Sequence, residues 1–418
     1  MKAHAMVRAV LVFAGLCLSL SFSASSASGQ DVGADVGGGA GLFRPKNPET
    51  KKRATRPAAT TGKPTTASSR SSARSRASAA AIDDRVEDLL GKGNEFRDAR
   101  RFAEAEEAYQ GVLKMRPRDA RAAYGLGNVY TDQQRWENAE MSYRDAATWS
   151  PSNVDALVAL SVVLVQPRTG ASNAKRFADA ESFARKAVQL EPKNAVAWDR
   201  LGVALQSRGT FNSETEQAYR RAVELDPQFA AAYIHLARVL RRIGRPAEAE
   251  PLYEQAITLS KDPATLNLVA ESLQAEQQWE RSGPVLRRAL DLDARNPRSL
   301  LLMGRMHVVL RRYSEAEPFL KTATEVSPNA FEAFNLLGRT YLAMNRFSEA
   351  EITYERAALL GSDADRKQLA GAFGFAGIGD GYLKAKDKPN AARAYQRALE
   401  LDPGNKDLEQ KLSKARSR

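Results

Sequence analysis

The sequence predicts an all-α solenoid of about nine stacked helix-turn-helix repeats, and three observations predict it. A set of small, apolar and aromatic residues recurs at intervals centred on 34 residues. Within each copy those residues fall three and four apart, as on one face of a helix. Several copies then close on a proline, which a continuing helix would not accept.

Residues 120–153 show the pattern best, with Leu126, Gly127 and Tyr130 in a first helix, Ala139, Tyr143 and Ala146 in a second, and Pro151 at the end. Leu126 and Tyr130 lie one turn apart on one face. Gly127, without a side chain, lets the second helix approach closely, and Ala139 is the small partner in that crossing. The same constellation steps along the chain from starts near 86, 120, 154, 195, 230, 263, 297, 331 and 372. Gly93, Ala105, Tyr109 and Pro117 hold the marker places in the first copy; Gly379, Tyr382, Ala391, Tyr395, Ala398 and Pro403 hold them in the ninth.

Three departures stand out. The third copy carries extra residues over 166–173, a Pro/Gly loop between its helices. The sixth has Ser282 and Leu286 where Ala and an aromatic are usual. Before the ninth comes an insertion followed by the glycine-rich run 371–381, which reads as a loosened helix or hinge because several glycines each cost a helix about 1 kcal/mol relative to Ala.

The Leu-Gly, Tyr, Ala, aromatic, Ala and Pro pattern resembles the tetratricopeptide repeat. That resemblance covers residues 82–405 and implies a right-handed superhelical solenoid whose first helices line a concave face where ligand peptides lie. Residues 406–418 read as a solvated capping helix, which an exposed solenoid end needs.

Ahead of the array the composition changes twice. Lys2 and Arg8, an apolar run from Ala9 to about Leu20 and the small residues that follow have the order of an export signal, so 1–29 is expected to be a signal peptide, with an uncleaved membrane anchor as the alternative. Residues 30–81 are rich in Gly, Ser, Thr, Pro and Arg and almost free of large apolar residues, and are expected to be a disordered tether. Between Arg44 and Arg76 there are ten Lys or Arg against one acid, Glu49, so most of the formal charge of +12 belongs to this tether. A basic tail without aromatics predicts at most weak contact with an anionic surface, and nucleic acid is not expected as a partner. The expected location is periplasmic or extracellular.

Catalytic chemistry finds little material. The single cysteine, Cys17, lies in the signal, which leaves a mature protein with His235 and His307 and no thiol. No zinc-type ligand set, nucleophile elbow or Walker spacing is present, so no enzyme activity, cofactor or metal is expected. His307 stands where other copies carry Tyr and is expected to pack. What remains is surface. The residue after each Leu-Gly pair gives the row Asn94, Asn128, Val162, Val203, Arg238, Glu271, Arg305, Arg339 and Asp380. The candidate partner-binding residues are Asn94, Asn128, Arg238, Glu271, Arg305 and Arg339. The three arginines suit an acidic extended segment or the C-terminus of a polypeptide, with Glu271 pairing to one of them.

These readings imply a non-catalytic scaffold that binds a partner protein or peptide, in envelope assembly or secretion. Two alternatives stay open: a regulatory repeat subunit of a glycosyltransferase or other enzyme whose catalytic part is a separate polypeptide, and an anionic-polymer binder acting through the tether.

Overall fold

The computed structural model describes residues 45–51, 67–166, 168 and 173–417; the expected signal peptide lies outside them. Among the described residues there are twenty helices and no strand. They are α1 (Ala67–Asp98), α2 (Phe102–Met115), α3 (Ala120–Asp132), α4 (Trp136–Trp149), α5 (Val154–Leu164), α6 (Asn173–Leu190), α7 (Ala195–Ser207), α8 (Ser213–Leu225), α9 (Ala230–Arg242) and α10 (Pro246–Leu259). Then come α11 (Pro263–Ala275), α12 (Trp279–Leu292), α13 (Pro297–Val309), α14 (Tyr313–Val326), α15 (Phe331–Ala343), α16 (Phe347–Leu360), α17 (Asp363–Leu369), α18 (Phe375–Lys384), α19 (Lys388–Leu401) and α20 (Lys406–Arg416). Nine antiparallel pairs result, α1–α2 through α15–α16 and then α18–α19. The first helices α3, α5, α7, α9, α11, α13 and α15 begin where the sequence pattern placed them.

Local chemistry sets these boundaries. Asp119, Asn153, Asn194, Asp262 and Asn296 cap first helices by accepting hydrogen bonds from their opening N–H groups. Inside the pairs, Arg100, Gln134, Gln277, Arg311, Asn345 and Lys386 take φ near +60°, and Gly209 and Gly244 do the same job in the fourth and fifth repeats. The next N–H reaches back across that residue to the carbonyl one turn inside the helix, as from Arg135 to Tyr130 and from Arg312 to His307, each at 2.8 Å.

The core lies between the two helices of each pair, and the glycine register explains how they meet. A Cβ on Gly127 would stand 2.4 Å from Tyr143 Cε1, and one on Gly338 would stand 2.5 Å from Tyr354 Cε1. The tyrosine ring therefore occupies the space a side chain would need. Where the glycine is replaced, the tyrosine often goes with it: Ser161 is matched by Ala184, and Ala270 by Leu286, so the sixth repeat is a regular pair despite its sequence.

Successive first helices touch one another directly, α5 with α7, α7 with α9, α9 with α11, α11 with α13 and α13 with α15, whereas successive second helices keep further apart. The array therefore curves with its first helices inside. Ion pairs tie repeats along the outer layer: Glu216 with Arg245 at 2.8 Å and Glu317 with Arg346 at 2.6 Å.

Several expectations require correction. Residues 67–81 belong to α1, and residues 45–51 lie ordered against the array, so the tether is not structureless throughout 30–81. The run 371–381 is no hinge: a Cβ on Gly374 would fall 1.9 Å from the Leu369 carbonyl oxygen, and one on Gly377 would fall 2.1 Å from that of Ala372. These glycines permit a tight turn between α18 and α17, an extra helix that packs on α16 and α19 and opens with a Ser362–Asp365 capping box. The last helix α20 is not wholly solvated either, since Leu408, Leu412 and Ala415 are buried. In the third repeat the buried Arg176 donates to the Val163 and Gln166 carbonyls at 3.1 and 3.3 Å, closing the end of α5, and also meets Glu140.

Candidate functional site

The inner surface is the candidate site, and Asn94, Asn128 and Asp380, each following a Leu-Gly or equivalent pair, stand beside a second-helix tyrosine. The hydroxyl of that tyrosine, having crossed the glycine, arrives at the polar side chain. Tyr109 donates to Asn94 Oδ1 at 2.7 Å, Tyr143 to Asn128 Oδ1 at 2.8 Å, and Tyr395 to Asp380 Oδ1 at 2.6 Å. With its oxygen taken, each asparagine presents its NH2 group to the groove. Burial pushes the Tyr143 and Tyr219 phenols well above their ordinary range, so they serve only as neutral hydrogen-bonding groups.

Those amide groups are in use. Asn128 Nδ2 donates to the Lys46 carbonyl at 2.8 Å, and Asn94 Nδ2 to the Pro48 carbonyl at 3.0 Å. Residues 45–51 therefore lie along the groove of the first two repeats. Arg97, 1% exposed, is held to Asp132 at 2.7 Å and donates from Nη1 to the Pro45 carbonyl at 2.8 Å and to Asn47 Oδ1 at 2.9 Å. Sequence reasoning named both asparagines but missed Arg97 and the bound segment. The signal was a proline at 45 and another at 48 within a stretch otherwise read by composition alone.

Further along, Val162 and Val203 are buried in packing. The expected cationic ladder is not a row of open guanidinium groups. Arg305 donates to Gln274 Oε1 at 2.9 Å and stands 3.6 Å from Glu332, and burial lowers its pKa. Arg339 lies over the Phe373 ring at 5.0 Å, and Arg238 is half-buried between the Tyr219 and Tyr253 layers. Glu271 does pair with an arginine, but with Arg298 at 2.6 Å rather than with a member of the row.

His307 packs as expected, stacked on Phe319 with ring centres 5.7 Å apart, and burial lowers its pKa. His235 has a second role: its Nδ1 is 2.7 Å from the fully buried Asp199, which also meets the buried Arg200 at 2.9 Å. Burial pushes the Asp199 carboxyl up, but the His235 and Arg200 charges outweigh it and leave the pKa below the ordinary value. Among the described residues no cluster of His, Cys, Asp and Glu has the arrangement of a metal site, and no helix is long and apolar enough to cross a membrane.

A curved stack of helix pairs with a glycine-and-tyrosine crossing and an inner row of polar side chains defines a protein-interaction solenoid. Family models described as tetratricopeptide repeat match residues 90–165, 232–266 and 310–372, and the protein is a tetratricopeptide-repeat protein. Solved structures similar to it include a crystal structure of MamA, 22% identical, covering 40% of this chain and 93% of that one with a TM-score of 0.35. A MamA structure from Desulfovibrio magneticus RS-1 is 18% identical, covering 42% and 95% with a TM-score of 0.37. A thermophilic TPR protein in Thermus thermophilus is 20% identical, covering 45% and 99% with a TM-score of 0.39. No curated protein matches the sequence.

Proposed function

We propose that the protein is a non-catalytic adaptor that holds an extended segment of a partner protein in the groove of its first helices, outside the cytoplasm, in envelope assembly or secretion. The observation that carries the groove reading is the use of Asn94 and Asn128 amides to hold main-chain carbonyls, a mode of recognition independent of the bound side chains. Export rests on the order of basic, apolar and small residues at the N-terminus. An acidic partner segment engaging Arg238, Arg305 and Arg339 fits the half-buried cations of the later repeats, provided it displaces Gln274 and Glu332 from Arg305.

A photo-crosslinking residue in place of Arg339, on the inner face, tests this in the native host. It is expected to capture a discrete partner, whereas the same residue in place of Ile352, 72% exposed on α16, is expected to capture none. Capture confined to the Ile352 position would overturn the groove reading. Native N-terminal sequencing tests export, with a start between Ser25 and Asp31 expected and an intact Met1 in the cytoplasm counting against it.

A further inference from the structure

Residues 45–51 are bound in a pattern that describes a ligand class. Pro45 and Pro48 are buried while Lys46 and Glu49 are exposed, a period of three that matches a polyproline II helix. Four carbonyls, those of Pro45, Lys46, Pro48 and Glu49, accept from Arg97, Asn128, Asn94 and Arg121 respectively. Among the described residues only one main-chain N–H of the segment is bonded to the groove, that of Lys51 to Glu87 at 2.7 Å. A wall made almost entirely of donors asks nothing of the main-chain N–H groups, which proline lacks. One side chain is read as well. Asn47 accepts from Arg97 Nη1 and donates from Nδ2 to Asp98 at 2.9 Å, a pairing that a carboxylate in its place would lose.

Arg97 makes the site a built one. It is among the largest fully buried side chains of the protein, and the acceptors of its Nη1 group both belong to the segment. That burial includes the segment itself, so seating it exchanges water on Nη1 for two acceptors held in fixed geometry. Chain length permits the occupant to come from the same molecule. The segment runs antiparallel to α1, from Arg97 at Pro45 to Glu87 at Lys51. Returning from there to Ala67 means covering about 30 Å of helix, and the fifteen residues 52–66 reach about 50 Å when extended.

We propose that the first two repeats form a binding site for an extended proline-bearing peptide of the pattern Pro-X-Asn-Pro, with residues 45–51 of the same molecule as its resident occupant. A partner segment of that chemistry enters this part of the groove only by displacing the occupant. The proposal rests on the groove reading above, but concerns repeats remote from Arg339.

The test uses a fluorescent peptide of residues 44–52 titrated into the full-length protein and into the full-length protein with Pro45→Gly, Asn47→Asp and Pro48→Gly. Those three positions lie outside the helical core, so folding is expected to be unchanged, and circular dichroism checks it. The peptide is expected to bind the substituted protein at least tenfold more tightly than the natural one. Adding Asn128→Ala is expected to reverse that gain, and a peptide with Asn47→Asp is expected to bind poorly throughout. Equal affinity for both proteins, no binding to the substituted one, or indifference to Asn128→Ala would each overturn the proposal. If the natural protein instead grows in mass with concentration by light scattering and the substituted one stays monomeric, the occupant comes from a second copy and the same-molecule assignment falls. Partner capture at Arg339 is independent of all these outcomes, so failure here leaves the adaptor reading standing.

Discussion

The most demanding residues are those that meet across a helix crossing or carry charge into the core. Gly127→Ala would drive a Cβ into the Tyr143 ring, and overpacking of this kind costs about 1–3 kcal/mol, read as a lower melting temperature with helicity retained. The opposite sign is expected at Arg311, an exposed residue held at φ 57°. An L side chain there costs about 1–2 kcal/mol that glycine avoids, so Arg311→Gly should raise stability by about 1 kcal/mol. Asp199→Asn removes the charge that faces buried Arg200 and should cost about 3–5 kcal/mol. Because the folded Asp199 pKa lies below its unfolded value, its contribution is complete above about pH 4 and is lost as pH falls through the folded value. The variant's melting temperature should therefore fall less steeply than the natural protein's on acidification below that point. These crossings were visible in the sequence because Gly127 and Tyr143 recur with the period. The Asp199, Arg200 and His235 cluster was not, since polar residues on an apolar face carry no periodic signal of their own.

At the scale of elements, the repeat boundaries were legible because each first helix begins at a chemical stop: Pro151 and Asn153 end one pair and cap the next, as Pro192 and Asn194 do forty-one residues later. The parts that escaped were those fixed by neighbours. Glycines 374 and 377 looked like loosening when counted along one helix, yet they answer to carbonyls of the preceding turn. Residues 45–51 looked structureless because their stabilising groups lie on α1 and α3, where no pattern within the segment could reveal them. The long connection in the third repeat depends in the same way on Arg176. Arg176→Ala leaves two helix-end carbonyls and Glu140 short of a donor and should cost about 2 kcal/mol. The expected readout is faster amide exchange in α5 and α6, with exchange in α13 to α16 unchanged; uniform acceleration along the chain would contradict a local clasp.

The whole molecule is a one-dimensional stack in which each pair rests on its neighbours, and its cooperativity follows from how strongly consecutive pairs are coupled. Coupling comes mainly from each second helix packing on the first helix of the next pair, with smaller contributions from contact between successive first helices and from outer ion pairs such as Glu216 with Arg245. The ion pairs are exposed enough that each contributes little, whereas the buried crossings are not screened. A central crossing is therefore the place where the stack can be cut. A Cβ on Gly202 would lie 2.5 Å from Tyr219 Cε1, and a branched side chain there cannot be absorbed by so well-packed a ring. Gly202→Val should split denaturant unfolding into two transitions, because the repeats before α7 and those after α8 would no longer stabilise each other through the fourth pair. Arg245→Ala, which removes an outer clasp at the neighbouring junction, should leave one transition with its midpoint little changed. Hydrogen exchange followed by mass spectrometry through the transition distinguishes the halves directly. A single transition for Gly202→Val, shifted equally in α3 and α15, would mean that cooperativity passes around the damaged pair rather than through it.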